Sequence, residues 1–271
     1  MEKKAFDVVA LGEILIDFTY AGTNEDGKKL YEENPGGAPA NCVCAAVKLG
    51  ARGAFIGMTG RDSFGDDIRS VLKGLGVDTG GMGYCDGQHT TLAFVSLAKN
   101  GERTFSFCRN PGADTQLRPA DLDVAMLEQA RILHVGSLSL TDEPAKSATL
   151  RAIEIVKAAG GLVSYDPNYR ANLWHGRADA VPLMKSIVPM ADSVKVSEEE
   201  LGLLFDLDMS LPSSVEDGAC RLLSLGPSLV LVTLGAQGVY YAARQGFHGR
   251  LGVPSVLFLD TSGGSETALL R

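Results

Sequence analysis

Short apolar runs rich in Val, Ile, Leu and Phe alternate along the chain with stretches of helical period, the pattern of a mostly parallel sheet covered by helices on both faces. Runs at 6–11, 53–58, 132–138, 162–166, 193–197 and 228–234 read as buried strands. Between the first two, Cys42, Ala45, Ala46 and Leu49 fall at i, i+3, i+4 and i+7, and Gly50 follows as a stop, which predicts a helix over 38–49. Ile68, Val71, Leu72 and Leu75 repeat that spacing before Gly76. Further helices are expected at about 120–130, 144–158, 179–190, 197–205 and 214–224.

One region breaks the alternation. Residues 90–98 and 104–109 are two extended segments joined through Lys99-Asn100-Gly101-Glu102, and Asn-Gly between such segments is a strong hairpin signal. Phe105 and Phe107 alternate with Thr104, Ser106 and Cys108, so one face is apolar and the other polar. A small sheet of this kind is unstable alone and must cover a ligand cleft, a partner subunit, or both.

A chain of 271 residues, 45% of them apolar, can bury the core of one large globular domain, so 1–271 is read as a single domain. Its net charge of −8 and the lack of a Lys/Arg-rich run argue against nucleic acid as a partner. The apolar stretch near the N-terminus (Phe6, Val8, Val9, Ala10 and Leu11) is too short for a membrane span or a signal peptide. Five cysteines with no CxxC pair argue against a disulfide framework or a zinc site, and the expected compartment is the cytoplasm.

In a parallel α/β sheet, ligands bind beyond the carboxyl ends of the strands, so the residues just after each apolar run carry the candidate chemistry. Asp17 follows the first run and can accept hydrogen bonds from a polyol, or be a solvated residue at a strand end. Gly36 and Gly37 precede a helix and let backbone approach a ligand, and Asn41 in its first turn offers a donor and an acceptor; a plain loop-to-helix junction explains the same residues. Gly57, Gly60, Asp62 and Gly65 punctuate the next strand-to-helix turn, for which structure alone is a sufficient account.

Gly-Gly followed by Asn41, and then Gly57, Gly60, Asp62 and Gly65, resembles the N-terminal signature of the pfkB, or ribokinase-like, carbohydrate kinases, with order and spacing matching from residue 6 to about 110. The resemblance implies a ribokinase-like α/β fold whose small β-sheet lid is formed by about 14–32 and 90–109. Arg109-Asn110-Pro111-Gly112-Ala113-Asp114 resembles the fructokinase branch in particular, with the 2-keto-3-deoxygluconate kinases as near relatives of the same layout. Asp166-Pro167-Asn168-Tyr169-Arg170 is similar to the family's Asp-x-Asn-x-Arg element, which implies roles for Asn168 and Arg170 near phosphates or sugar. Ser197-Glu198-Glu199-Glu200 occupies the place of its Asn-x-x-Glu, with Glu200 on hydrated Mg²⁺ and Ser197 where Asn is expected; by itself it is a capped helix start. Thr233, Gly235 and Gly238 resemble its nucleotide-proximal Thr-x-Gly-x-x-Gly, although a tight hairpin into Val239-Tyr240-Tyr241 accounts for the same glycines.

Asp260-Thr261-Ser262-Gly263-Gly264-Ser265-Glu266 aligns with the family's Asp-Thr-Thr-Gly-Ala-Gly-Asp, which implies an anion hole at Gly263, Gly264 and Ser265 and a general base at Glu266. Two positions depart: Ser265 replaces a glycine, and Glu266 carries its carboxylate on one extra methylene. The family continues with a long helix and further elements that wall the adenine pocket, whereas this sequence ends at Arg271, so the resemblance implies a domain incomplete at its C-terminus. The implied activity is ATP-dependent phosphorylation of a sugar, most closely fructose, with Asp17, Gly36, Gly37, Asn41, Arg109 and Arg170 on the sugar, and the altered C-terminal motif implies that this chain is impaired in it. The implied cofactors are ATP and Mg²⁺ with K⁺ as a further candidate, and the lid's apolar face suggests a homodimer. The alternatives are a 2-keto-3-deoxygluconate kinase and a non-catalytic sugar-binding protein on the same scaffold.

Overall fold

The computed structural model describes residues 4–97, 103–211 and 213–253. The first half runs β1 (Phe6–Leu11), β2 (Leu15–Thr23), β3 (Lys29–Gly36), α1 (Ala38–Lys48), β4 (Gly53–Gly60), α2 (Ser63–Gly74), β5 (Asp78–Cys85), β6 (Thr91–Leu97) and β7 (Arg103–Cys108). The second half runs α3 (Val124–Glu128), β8 (Ala130–Val135), α4 (Ala145–Ala158), β9 (Leu162–Tyr165), α5 (Ala171–Trp174), α6 (Ala180–Ile187), β10 (Ser193–Ser197), α7 (Glu198–Phe205), α8 (Ser214–Ser224), β11 (Leu229–Thr233), β12 (Val239–Ala243) and β13 (His248–Leu251).

Among the described residues, nine strands form the main sheet in the order β13-β12-β11-β10-β9-β8-β1-β4-β5. From β11 to β5 neighbours pair parallel, while β12 and β13 add antiparallel strands at one edge. Central strands must be apolar on both faces, and β1 divides its side chains accordingly. Val9 and Leu11 enter a core shared with residues of α3, α4, α6, α7 and α8, whereas Ala10 enters a second core with Val43 of α1 and Ile68 and Leu72 of α2. Helices thus lie on both faces, but cover on the α1 side is incomplete among the described residues. Val194, Val196, Val230 and Val232 are buried, while the alternate Lys195, Leu231 and Tyr241 remain half-exposed.

The second sheet has the order β3-β2-β6-β7. Its register lines up Asp17 with Asn34 and Ala93, and Ala93 with Phe107, so these side chains share one face. Phe18 stacks on Phe94 with ring centroids 5.1 Å apart on the other face, where Tyr31 meets Phe94 edge-on. The expected hairpin is present as the antiparallel β6–β7 pair, and its Asn100-Gly101 turn lies outside the described residues.

Side-chain latches tie the small sheet to the body. Asp62 caps α2 by accepting from the Gly65 N–H at 2.9 Å, and it also accepts from the N–H and hydroxyl of Thr90 just before β6. Asp114 accepts from the Thr91 hydroxyl at 2.6 Å and from Arg109 Nε at 2.8 Å. Gly60 must be bare, since a Cβ there would meet the Thr90 nitrogen at 2.5 Å.

Several expectations are corrected. Asn34, Pro35 and Gly36 form the end of β3, not a loop, and Asp17 sits within β2, as its third residue, not beyond a strand end. The run at 132–138 stops as a strand at Val135, because Gly136 ends it and a short 3-10 turn follows at Leu138–Leu140. The helix expected at 120–130 is only Val124–Glu128, displaced by β8, which begins at Ala130. The helix expected at 179–190 ends at Ile187 and tightens into a 3-10 turn. β5 was not expected at all.

Candidate functional site

The carboxyl ends of β9, β10 and β11 and the inner face of the small sheet enclose a cavity of about 680 Å³. Phe105 and Phe107 stack at 5.9 Å to form its apolar wall, so the apolar face read from their alternation looks into this cleft. The opposite wall is polar. Asn168, Tyr169 and Arg170 come from the turn after β9, Lys195 and Ser197 from β10, and Thr233 from the end of β11.

Local chemistry explains the turn after β9. Asp166 accepts from the Asn168 N–H at 3.1 Å, an Asx turn that accommodates Asn168 at φ 44°. Lys195 closes an ion pair with Asp166 at 3.0 Å. Ser197 and Glu200 form a reciprocal capping box on α7: the Ser197 hydroxyl accepts from the Glu200 N–H, and Glu200 accepts from the Ser197 N–H at 2.7 Å. The second Glu200 oxygen accepts from the Tyr169 N–H at 2.6 Å, tying the β9 turn to α7. Burial, reinforced by the Asp166 charge, pushes the Glu200 carboxyl above its ordinary value. The site assigned to metal is therefore also structural.

The sugar-side candidates gather at the junction of the small sheet with α1. Gly36 ends β3 against Asp17, whose carboxylate occupies the space a Cβ would need. Gly37 precedes α1 at φ 115°, and a Cβ there would meet the Glu13 carbonyl oxygen at 2.5 Å. Asn41 is buried with its Oδ1 unpartnered. Arg109 is also buried, and its guanidinium serves Asp114 at 2.7 Å, the Thr141 hydroxyl at 3.0 Å and the Leu138 carbonyl at 3.0 Å. Those contacts make Arg109 a brace between the small sheet and the body.

The structure brings Asn168, Arg170, Ser197, Glu200 and Thr233 together on one cavity. Gly235 (φ 54°) and Gly238 (φ 91°) lie in the turn joining β11 to β12. The hairpin itself accounts for Gly238, because a Cβ there would run into the Leu251 carbonyl, while the space at Gly235 is open. Gly263, Gly264, Ser265 and Glu266 lie outside the described residues. Sequence reasoning missed Lys195, Tyr169 and above all Glu13, a buried carboxyl between Gly12 and Ile14. The available signal was a charge placed directly between two apolar runs.

Residues 5–264 match the pfkB family carbohydrate kinases. Fructokinase-1 of Oryza sativa subsp. japonica is 46% identical over 270 residues, spanning 97% of this chain and 82% of the relative. Among solved structures, a fructokinase with bound ATP from Xylella fastidiosa superposes with a TM-score of 0.84 at 32% identity, covering 97% of this chain and 79% of that one. A double-mutant fructokinase from Vibrio cholerae with fructose, ADP and a potassium ion bound gives a TM-score of 0.85 at 31% identity, covering 99% and 83%. With its two-sheet architecture, its glycine signature at the root of the small sheet and a match over nearly its whole length, this chain belongs to the pfkB family of carbohydrate kinases.

Proposed function

We propose that the chain is an ATP-dependent fructokinase, moving the γ-phosphoryl group of ATP to a primary hydroxyl of the sugar. The observation that carries the proposal is the cleft between the small sheet and the carboxyl ends of β9–β11, in a chain 46% identical to a fructokinase. The small sheet is the lid: its polar line of Asp17 and Asn34 faces the sugar, and its Phe105–Phe107 wall excludes water from the phosphoryl group. Asp17, Asn41 and the bare backbone at Gly36 and Gly37 hold the ketose, with Arg109 bracing the lid behind them. Arg170 and Asn168 stand on the phosphate side, with Thr233 and Gly235 toward the nucleotide. Gly263 to Ser265 form the anion hole, and Glu266 takes the proton from the attacking hydroxyl.

Among the described residues no three His, Cys, Asp or Glu side chains cluster as a metal site. Mg²⁺ arriving on a triphosphate requires only one or two carboxylates, commonly through water. Glu200 fits that use, since each of its oxygens accepts one N–H and retains a lone pair. The ion's contribution is neutralisation of charge on the phosphates. K⁺ is a second candidate, supported by the potassium-bound fructokinase relative. The cytoplasm is the proposed compartment; among the described residues no helix is long and apolar enough to cross a membrane. A homodimer through the lid is supported by the lid's outer face, where Tyr20 and Tyr31 are exposed.

A coupled assay of ADP release by the 271-residue chain, with Mg-ATP and fructose, 2-keto-3-deoxygluconate, ribose or adenosine, tests the proposal. Turnover with fructose in preference to the others is expected; turnover only with 2-keto-3-deoxygluconate would reassign the substrate. A second reading, sugar binding without transfer, is favoured by Ser265 and Glu266, which follow directly on the end of the family match at residue 264. Calorimetric fructose binding without ADP formation would select it.

A further inference from the structure

Helix α1 carries the sugar-side Asn41 in its first turn, yet its amino end has no cap of its own. The N-cap is Gly37, which has no side chain and makes no side-chain cap hydrogen bond. A capping Ser or Asp would be strained there, because the backbone stands at φ 115° and a Cβ would collide with the Glu13 carbonyl. Pro39 removes one orphan donor from the first turn, and the Asn41 N–H is satisfied by the Gly37 carbonyl. The Ala38 N–H finds its partner elsewhere: it donates to Glu13 Oε1 at 3.3 Å, across from the β1–β2 turn. Glu13 is 3% exposed, and its second oxygen is buried with no partner.

We propose that Glu13 is a positioning residue for the sugar subsite: its carboxylate caps α1 from outside the helix and holds Gly37 and Asn41 in their sugar-binding geometry. A carboxylate accepts more strongly than its protonated form, and negative charge is favoured at a helix amino end, so the ionised state is the ordering one. The charged groups facing Glu13 are Arg109, which favours ionisation, and Asp114, which opposes it, and burial outweighs both to push its carboxyl up to about 7. Cys42 and Cys44 on α1 are pushed up to about 11 by burial and stay neutral across the same range. Sugar affinity therefore rises as the pH rises through neutrality. Fructose as the probe rests on the kinase reading above; the cap does not.

The test separates the two. In ¹⁵N-labelled full-length chain, the Ala38 amide resonance should titrate with a midpoint near 7, and Glu13→Gln should abolish the titration. Calorimetry should show fructose binding about fivefold tighter at pH 8.5 than at pH 5.5 in the wild type. Glu13→Gln should bind at the weaker level at both values, because a neutral isostere mimics the protonated acid. An Ala38 amide that does not titrate between those limits, or titrates equally in Glu13→Gln, overturns the proposal, as does equal affinity of wild type and variant at pH 8.5. Absence of fructose binding at every pH, with the Ala38 titration intact and lost in the variant, would sink the fructokinase reading and leave the cap standing.

Discussion

Glu13 is held in a form that serves position at the expense of stability. Burial raises its carboxyl from 4.5 to about 7 in the native state, so between those values the folded chain binds more protons than the unfolded chain. Stability is then lost as the pH rises through that window, up to about 3 kcal/mol in full. Glu13→Gln should melt like the wild type at pH 4.5 and higher than it at pH 8, which pH-dependent calorimetric unfolding checks; a variant that gains nothing at pH 8 would show that the buried carboxylate is compensated. Arg109 and Asp114 pose the opposite case, a buried pair with side chains 3% and 1% exposed. Arg109→Met alone strands the Asp114 charge and should cost about 3–5 kcal/mol, whereas Arg109→Met with Asp114→Leu should recover much of it. Chemical denaturation of the two single variants and the double variant measures the coupling.

At the scale of elements, legibility tracked periodicity. β1, β10 and α8 have the bounds their apolar patterns predict, because Gly12 closes β1, Asp192 and Glu198 flank β10, and Ser213 precedes α8. β5 escaped because Gly80, Gly81 and Gly83 leave it no apolar run; its glycines let it lie close to β4, and at Gly81 a Cβ would meet Ile56 at 2.7 Å. β3 was expected only as far as about residue 32, and its end escaped because Pro35 and the two glycines after Asn34 carry turn signals in a strand at the edge of its sheet. Capping was the clearest local signal for α7, and it reaches beyond the helix, as Glu200 holds the Tyr169 N–H as well as the Ser197 N–H. Ser197→Ala should cost about 1 kcal/mol as an ordinary cap, read from thermal unfolding. Glu200→Ala should cost more and should also free the β9 turn, raising amide exchange at Tyr169, which Ser197→Ala leaves largely protected.

For the whole molecule, the order of strands makes the site: residues far apart in sequence, such as Asn168, Ser197 and Thr233, meet because β9, β10 and β11 are parallel neighbours ending on one side. The candidate positions were legible because that rule of parallel sheets fixes where to look, while their partners were not, because Lys195 on Asp166 and Glu13 on Ala38 are contacts between strands and turns that no local spacing encodes. The lid shows the same limit. Its Phe105–Phe107 face, the source of the expected dimer, lines the cleft, and its other face bears a ladder of aromatics from Phe18, packed edge-on by Phe64 of α2, through Phe94 to Tyr31 and Tyr20. Tyr20 on β2 and Tyr31 on the edge strand β3 are each 38% exposed at the end of that ladder, an apolar rim beside a sheet edge that natural proteins usually protect. A second copy packed on this face would bury the rim without touching the cleft. Sedimentation equilibrium of the wild type should therefore show a dimer. Tyr31→Asp, which would force a charge into the packed face, should weaken self-association roughly a hundredfold while leaving fructose affinity within about twofold. A wild type that sediments as a monomer at all concentrations would remove the lid interface, and a dimer indifferent to Tyr31→Asp would move it to another surface.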